Sequence, residues 1–221
     1  MGSDTLLSKI EAFARERCAE HDTAHDALHL SRVLANARLL TDAERAAGAV
    51  VDAFVVEAAC WLHDVVQLPK GTGPAGESAR QSAALARTFL AERRVEPPLI
   101  DAIAYAVEAH SYSGGMQPAT IEAAILQDAD RLDALGAVGV ARLWVTGVSL
   151  GGSLYHDGDP GGTVRVLDDR AYSLDHIERK LLRLPETMNT VAGRSEAHRR
   201  AEYVRQYRDE FLRELGILVS S

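Results

Sequence analysis

The chain has 221 residues, a net charge of -8, 47% hydrophobic residues and only 5% aromatic ones. That length and apolar content suffice for a sizeable core, while the acidic balance argues against a duplex nucleic-acid binder, which carries a basic face. No apolar run approaches the roughly 18 residues of a membrane span and no charged-then-apolar leader opens the chain, so a cytoplasmic protein without a membrane partner is expected.

Recurrent Ala, Leu, Glu and Arg with seven prolines favour helix over strand, and an all-α fold is expected. Leu6, Leu7, Ile10, Phe13 and Ala14 fall at helical spacing, with Asp4 as a cap. A second helix starts near Ala24, carries Leu28, Val33, Leu34, Ala37 and Leu40, and stops before Gly48. A third, from Val51 to Val65, is apolar almost all round, the signature of a helix at the centre of a domain. The loop from Leu68 to Pro74 holds two prolines and two glycines. Helices follow from about Gly76 to Arg94 and from Pro97-Pro98 to His110. After a break from Ser111 to Pro118 they resume over Thr120 to Asp133 and Gly136 to Leu150. Gly151 to Asp169, with five glycines and a proline, reads as a long loop, either disordered or a lid. Helical spacing returns at Ile177, Leu181, Leu182 and Leu184, and again at Val204, Tyr207, Phe211, Leu215 and Leu218. Cys18 and Cys60 lie in helical patterns and read as reduced thiols.

His63 and Asp64 close the apolar run Ala58-Ala59-Cys60-Trp61-Leu62. Burying an imidazole and a carboxylate together is costly, and a bound cation compensates both. Ligand-type groups recur in other helices: His29, and an aspartate within Gln127-Asp128-Ala129-Asp130-Arg131-Leu132-Asp133. Two imidazoles and two carboxylates suit a divalent first-row ion with positions left open for water and substrate. The residues leave alternatives open. His63 and Asp64 can cap a helix end, and His21, His25 and His29, four residues apart, can form a His25–His29 metal pair or a solvated stripe.

The order His29-xx-Arg32-Val33, Leu62-His63-Asp64-Val65-Val66, then Asp128-Ala129-Asp130-Arg131-Leu132-Asp133 resembles the first, second and last motifs of the HD superfamily of metal-dependent phosphohydrolases. A subgroup of small bacterial single-domain members is similar through Glu108-Ala109-His110-Ser111, the segment from Gln127 to Gly136, Lys180-Leu181-Leu182 and Thr187-Met188-Asn189-Thr190. The resemblance implies an HD-type helical bundle spanning 1–221, with core motifs at about 24–140, a long glycine-rich loop, and a C-terminal helical extension at about 172–220. It implies one divalent ion (Mn, Ni, Co, Fe, Zn or Mg) held by His29, His63, Asp64 and Asp130, with Asp128, Asp133 and Arg131 as surrounding or helix-surface groups.

By the same resemblance the substrate is a small phosphorylated molecule, a nucleotide, and the activity that of a nucleoside triphosphate pyrophosphohydrolase. A monophosphatase, a phosphodiesterase, an alarmone hydrolase and a non-catalytic metal-binding helical module are the alternatives, and a homodimer is allowed. Val65, Val66 and Gln67 stand where some relatives place an acidic residue after the pair, and Ala134 stands where stringent-response hydrolases carry Asn. Asp64 and His110 are expected to be catalytic, with His110 protonating a leaving group or contacting phosphate. Arg32, Lys70, Arg131 and Lys180 are expected to meet phosphate charge, Lys180 also serving catalysis, and Glu77 to reach the site from its loop. Against these stand plainer roles: salt bridges for Arg32 and Arg131, a solvated face for Lys180, a helix cap for Glu77 and a structural histidine at 110. Arg194, Arg199, Arg200, Arg205 and Arg208 read as a solvated face.

Overall fold

The computed structural model describes residues 3–20, 26–68, 73–111 and 114–217, and these contain nine α-helices and no strand. They fall into two compact units, Met1–Asp130 and Arg131–Ser221. Among the described residues no single helix is long and apolar enough to cross a membrane.

In the first unit α1 spans Ser3–Arg17, α2 Ala27–Ala46, α3 Ala53–Leu62, α4 Glu77–Glu92 and α5 Pro97–Ala109, and α6, Ile121–Leu132, runs to its edge. Asp4 lies inside α1 and not at its cap. Helix α3 is shorter than its apolar run suggested, because Asp52 fixes its start: the carboxylate accepts the backbone N–H groups of Phe54 and Val55 at 2.9 and 3.2 Å. From Val55 onward it buries all but Glu57, and it packs on α1, α2, α4 and α5, as an all-round apolar helix must. Asp26 caps α2 by accepting the N–H of His29 at 2.9 Å. Helix α4 starts after Gly76, whose φ of 76° favours glycine and where an added Cβ would come within 3.0 Å of Gly114 Cα.

The second unit holds α7, Gly136–Ser149, α8, Ser173–Arg179, and α9, Val191–Glu214, with a 3₁₀ turn at Leu181–Thr187. The apolar spacing at 177–184 suggested one helix. Instead the chain breaks at Lys180 and tightens into i, i+3 geometry that buries Leu181 and Leu184 and accommodates Pro185. Helix α9 packs against α7, α8 and this turn, with Trp144 stacked on Phe211 and donating to the Tyr207 hydroxyl at 2.9 Å.

The glycine-rich segment is irregular but internally braced. Asp159 accepts the N–H groups of Thr163 and Val164 at 3.0 Å each. Arg165 grips the buried Asp175 carboxylate at 2.6 Å through two nitrogens, and Asp175 also accepts the N–H of Asp168 at 2.7 Å. Of the arginines of α9, Arg199 and Arg205 pair with Glu196 and Glu202 on an exposed face as expected, whereas Arg200 and Arg208 are half-buried, Arg200 donating to the Leu132 carbonyl at 3.0 Å and Arg208 pairing with Glu178.

Candidate metal centre

Four helices of the first unit deliver side chains to one point. His29 comes from the first turn of α2, whose start Asp26 fixes. His63 is the C-terminal cap of α3, and its Nδ1–H donates to the Cys60 carbonyl at 2.8 Å. That carbonyl belongs to the last turn of α3, where backbone acceptors lack helical partners. The bond therefore satisfies the helix end and leaves Nε2 as the ring nitrogen with a lone pair to offer. His110 repeats the device at the end of α5, with Nδ1 bonded to the Val107 carbonyl at 2.6 Å.

The outward atoms converge. His29 Nε2 lies 3.3 Å from His63 Nε2, 3.7 Å from Asp64 Oδ2 and 3.4 Å from Asp130 Oδ1, and His63 Nε2 lies 3.6 Å from Asp64 Oδ2. The ligand atoms of His29, His63 and Asp64 all fall within 4.8 Å of one another, and the three residues are buried. Metal–ligand bonds of about 2.1 Å separate neighbouring ligands by about 3.0 Å in an octahedron and about 3.4 Å in a tetrahedron. The observed separations are of that size, and the donor set, imidazole nitrogens beside carboxylate oxygens, is one that divalent first-row ions accept. The residues fit such an ion.

Burial dominates the electrostatics of His63 and lowers its pKa to about 4 against the opposing charge of Asp64. The ring is neutral near pH 7, the state a ligand needs. Burial also pulls His110 down, but the hydrogen bond and charge of Asp64, together with Asp130, raise it above the usual histidine value. Its Nε2 lies 3.5 Å from Asp64 Oδ1. Burial pushes the Cys18 thiol up to about 11 and the Cys60 thiol higher still, so both are protonated and inert.

Two residues given no role in the sequence reading brace the cluster. Gln127 of α6, 2% exposed, donates through Nε2 to the Ala109 carbonyl at 2.8 Å and the Met116 carbonyl at 3.2 Å, tying down the segment on either side of His110. Asn36 of α2 donates from Nδ2 to the Ala129 carbonyl of α6 at 3.0 Å. Each is a polar residue on an otherwise apolar helical stripe, and that is the signal by which a sequence can point to such groups.

The other expected residues stand as follows. Arg32 is half-buried, three residues after His29 on α2. The Glu77 carboxylate is taken up within α4 by Arg80 at 2.7 Å and Gln81 at 2.9 Å. Arg131, in the second unit, donates to the Thr187 carbonyl. Lys180, also in the second unit, is half-buried at the C-terminal end of α8. Asp128 and Asp133 are buried, not helix-surface groups, and Asp133 accepts from Arg142. Lys70, His21 and His25 lie outside the described residues.

Residues 27–135 match the family model of the HD domain, and these residues contain all five converging side chains. The chain belongs to the HD domain family. Membership carries the general assignment of a metal-dependent phosphohydrolase and implies a divalent metal, for which His29, His63 and Asp64 form a ligand group. Among its relatives is YpgQ of Bacillus subtilis, 30% identical over 205 residues, which cover 90% of this chain and 88% of that one. The crystal structure of YpgQ in complex with ADP superposes with a TM-score of 0.75 at 28% identity, covering 97% of both chains. An HD-superfamily hydrolase from Bacillus thuringiensis superposes with a TM-score of 0.73 at 28% identity, covering 98% of this chain and 100% of that one.

Proposed function

We propose that this HD-domain protein is a hydrolase of nucleotides that cleaves a nucleoside triphosphate to the monophosphate and pyrophosphate, using one divalent ion held by His29, His63, Asp64 and Asp130. The observation that carries the reading is the close approach of two imidazole nitrogens and two carboxylates supplied by α2, the end of α3 and α6, with neighbouring atoms 3.3 to 3.7 Å apart. The ADP bound to YpgQ supports a nucleotide as ligand.

When bound, a divalent cation supplies Lewis acidity, polarising a phosphoryl oxygen and acidifying water. The chain supplies the rest. His29 and His63 donate lone pairs, while Asp64 and Asp130 contribute negative charge that offsets the cation in a buried site. His110 has its Nδ1 committed to Val107, so Nε2 is the atom it offers to a phosphate oxygen or a departing group. Arg32, about one turn beyond His29, is the cation we assign to the equatorial phosphoryl oxygens. Lys70 is assigned to the remaining phosphate charge. Release of pyrophosphate requires attack at the α-phosphorus, so the nucleoside end must lie where its first phosphate reaches the cluster.

The test is a nucleotide panel incubated with manganese, cobalt, nickel or magnesium after chelation, with phosphate and pyrophosphate measured separately. Metal-dependent pyrophosphate release from triphosphates is expected. Orthophosphate as the product would replace the reading with a monophosphatase, and turnover of no nucleotide or alarmone with any metal would leave a metal-binding helical module.

A further inference from the structure

Asp130 is the ligand group least held by its surroundings. Its side chain is 28% exposed, against 1% for His29 and 0% for His63. It also sits in the last turn of α6, which ends at Leu132, and last turns fray. A carboxylate in that position keeps a 3.4 Å approach to His29 only if the backbone beneath it is fixed.

The amide of Asn36 supplies the fixing. Asn36 follows His29 by seven residues, about two turns, so both lie on the same face of α2. It is 8% exposed and lies among the buried Val33, Leu34, Ala37 and Leu40, where an amide costs free energy unless its hydrogen bonds are used. Its Nδ2 donates at 3.0 Å to the carbonyl of Ala129, the residue before Asp130. One face of α2 therefore carries both a ligand of the proposed ion and the clamp on the backbone that presents another. We infer that Asn36 is a positioning residue, one that sets the His29–Asp130 separation and through it the affinity for the divalent ion. The inference rests on the metal reading given above.

The experiment measures binding of manganese to the full chain, from the loss of the free-ion electron paramagnetic resonance signal, alongside the urea midpoint of the metal-free protein. Asn36→Ala and Asn36→Asp are compared with wild type and with Leu40→Ala. The Asp variant keeps the volume and removes the donor. Leu40, fully buried on the same helix about three turns beyond His29, reports destabilisation of α2 without loss of the clamp. Both Asn36 variants are expected to weaken manganese about ten- to hundredfold, the range for losing a group that orients a ligand. Leu40→Ala is expected to lower the urea midpoint and leave manganese affinity unchanged. Wild-type affinity in either folded Asn36 variant would overturn the inference alone, as would equal weakening in Leu40→Ala. Failure of the wild-type chain to bind manganese would overturn the metal reading and this inference with it.

Discussion

Replacing Asp64 with Asn keeps the side-chain shape and removes its charge, and Asp64 is where the cluster is most sensitive. Its Oδ2 faces His29 at 3.7 Å and His63 at 3.6 Å, and its Oδ1 faces His110 at 3.5 Å. Losing an orienting partner alone costs ten- to hundredfold in metal affinity, so losing a charged ligand is expected to cost at least about a hundredfold. At a metal concentration about 1,000 times the wild-type Kd, binding stabilises the native state by about 4 kcal/mol, and a hundredfold weaker variant retains about 1.4 kcal/mol. In a chain of this size each kcal/mol moves Tm by about 2 to 4 °C. Wild type is thus expected to gain roughly 8 to 16 °C on adding manganese after chelation, and Asp64→Asn roughly 3 to 6 °C, while the two melt similarly without metal. Thermal unfolding followed by circular dichroism in paired chelated and manganese-loaded samples checks this. An Asp64→Asn protein that gains as much as wild type would refute the placement of Asp64 at the ion.

Gln127→Leu leaves the buried carbonyl at Ala109 without its donor, and a loss of about 1 to 3 kcal/mol in urea unfolding is expected, with slower turnover because His110 is next in the chain. Gly76→Ala puts a Cβ 3.0 Å from Gly114 Cα on backbone at positive φ, and about 1 to 2 kcal/mol of destabilisation is expected by the same measurement. Hydrogen bonding to Arg199, aided by Arg200, lowers the Glu196 carboxyl from 4.5 to about 2, so its stabilisation is present above about pH 4.5 and fades as pH falls toward 2. Glu196→Gln is expected to flatten that acid limb slightly, by less than about 1 kcal/mol because its main partner Arg199 is 71% exposed, in pH-dependent urea titrations. Iodoacetamide at pH 8 is expected to leave Cys18 and Cys60 unlabelled in the native protein and to label both in urea, as read by mass spectrometry.

How much of this was legible in the sequence varied with the kind of residue. His29, His63, Asp64 and Asp130 stood out because each is an ionisable group in or beside an apolar helical stretch, and some helix boundaries followed from Pro97 and Gly136, whereas Asp26 and Asp52, which fix the starts of α2 and α3, were not read as caps. Asp128 and Asp133 were read as surrounding or surface groups, since helical spacing alone does not tell a buried carboxylate from a solvated one when Arg142 lies nine residues on. Lys180 fell where one helix was expected, but Pro185 favours a tight turn. Asn36 and Gln127 were passed over because neutral amides on an apolar stripe look like weakened hydrophobic pattern. Their worth depends on carbonyls that come near only after folding, at Ala129, Ala109 and Met116.

The ring bonds from His63 to Cys60 and from His110 to Val107 couple two properties usually treated apart. A single contact terminates the helix and selects which nitrogen faces inward, so anything that unwinds the end of α3 or α5 also turns the imidazole away. Evolution cannot relax these helix ends for flexibility without detuning the chemistry, and an engineer who stabilises them sharpens both at once.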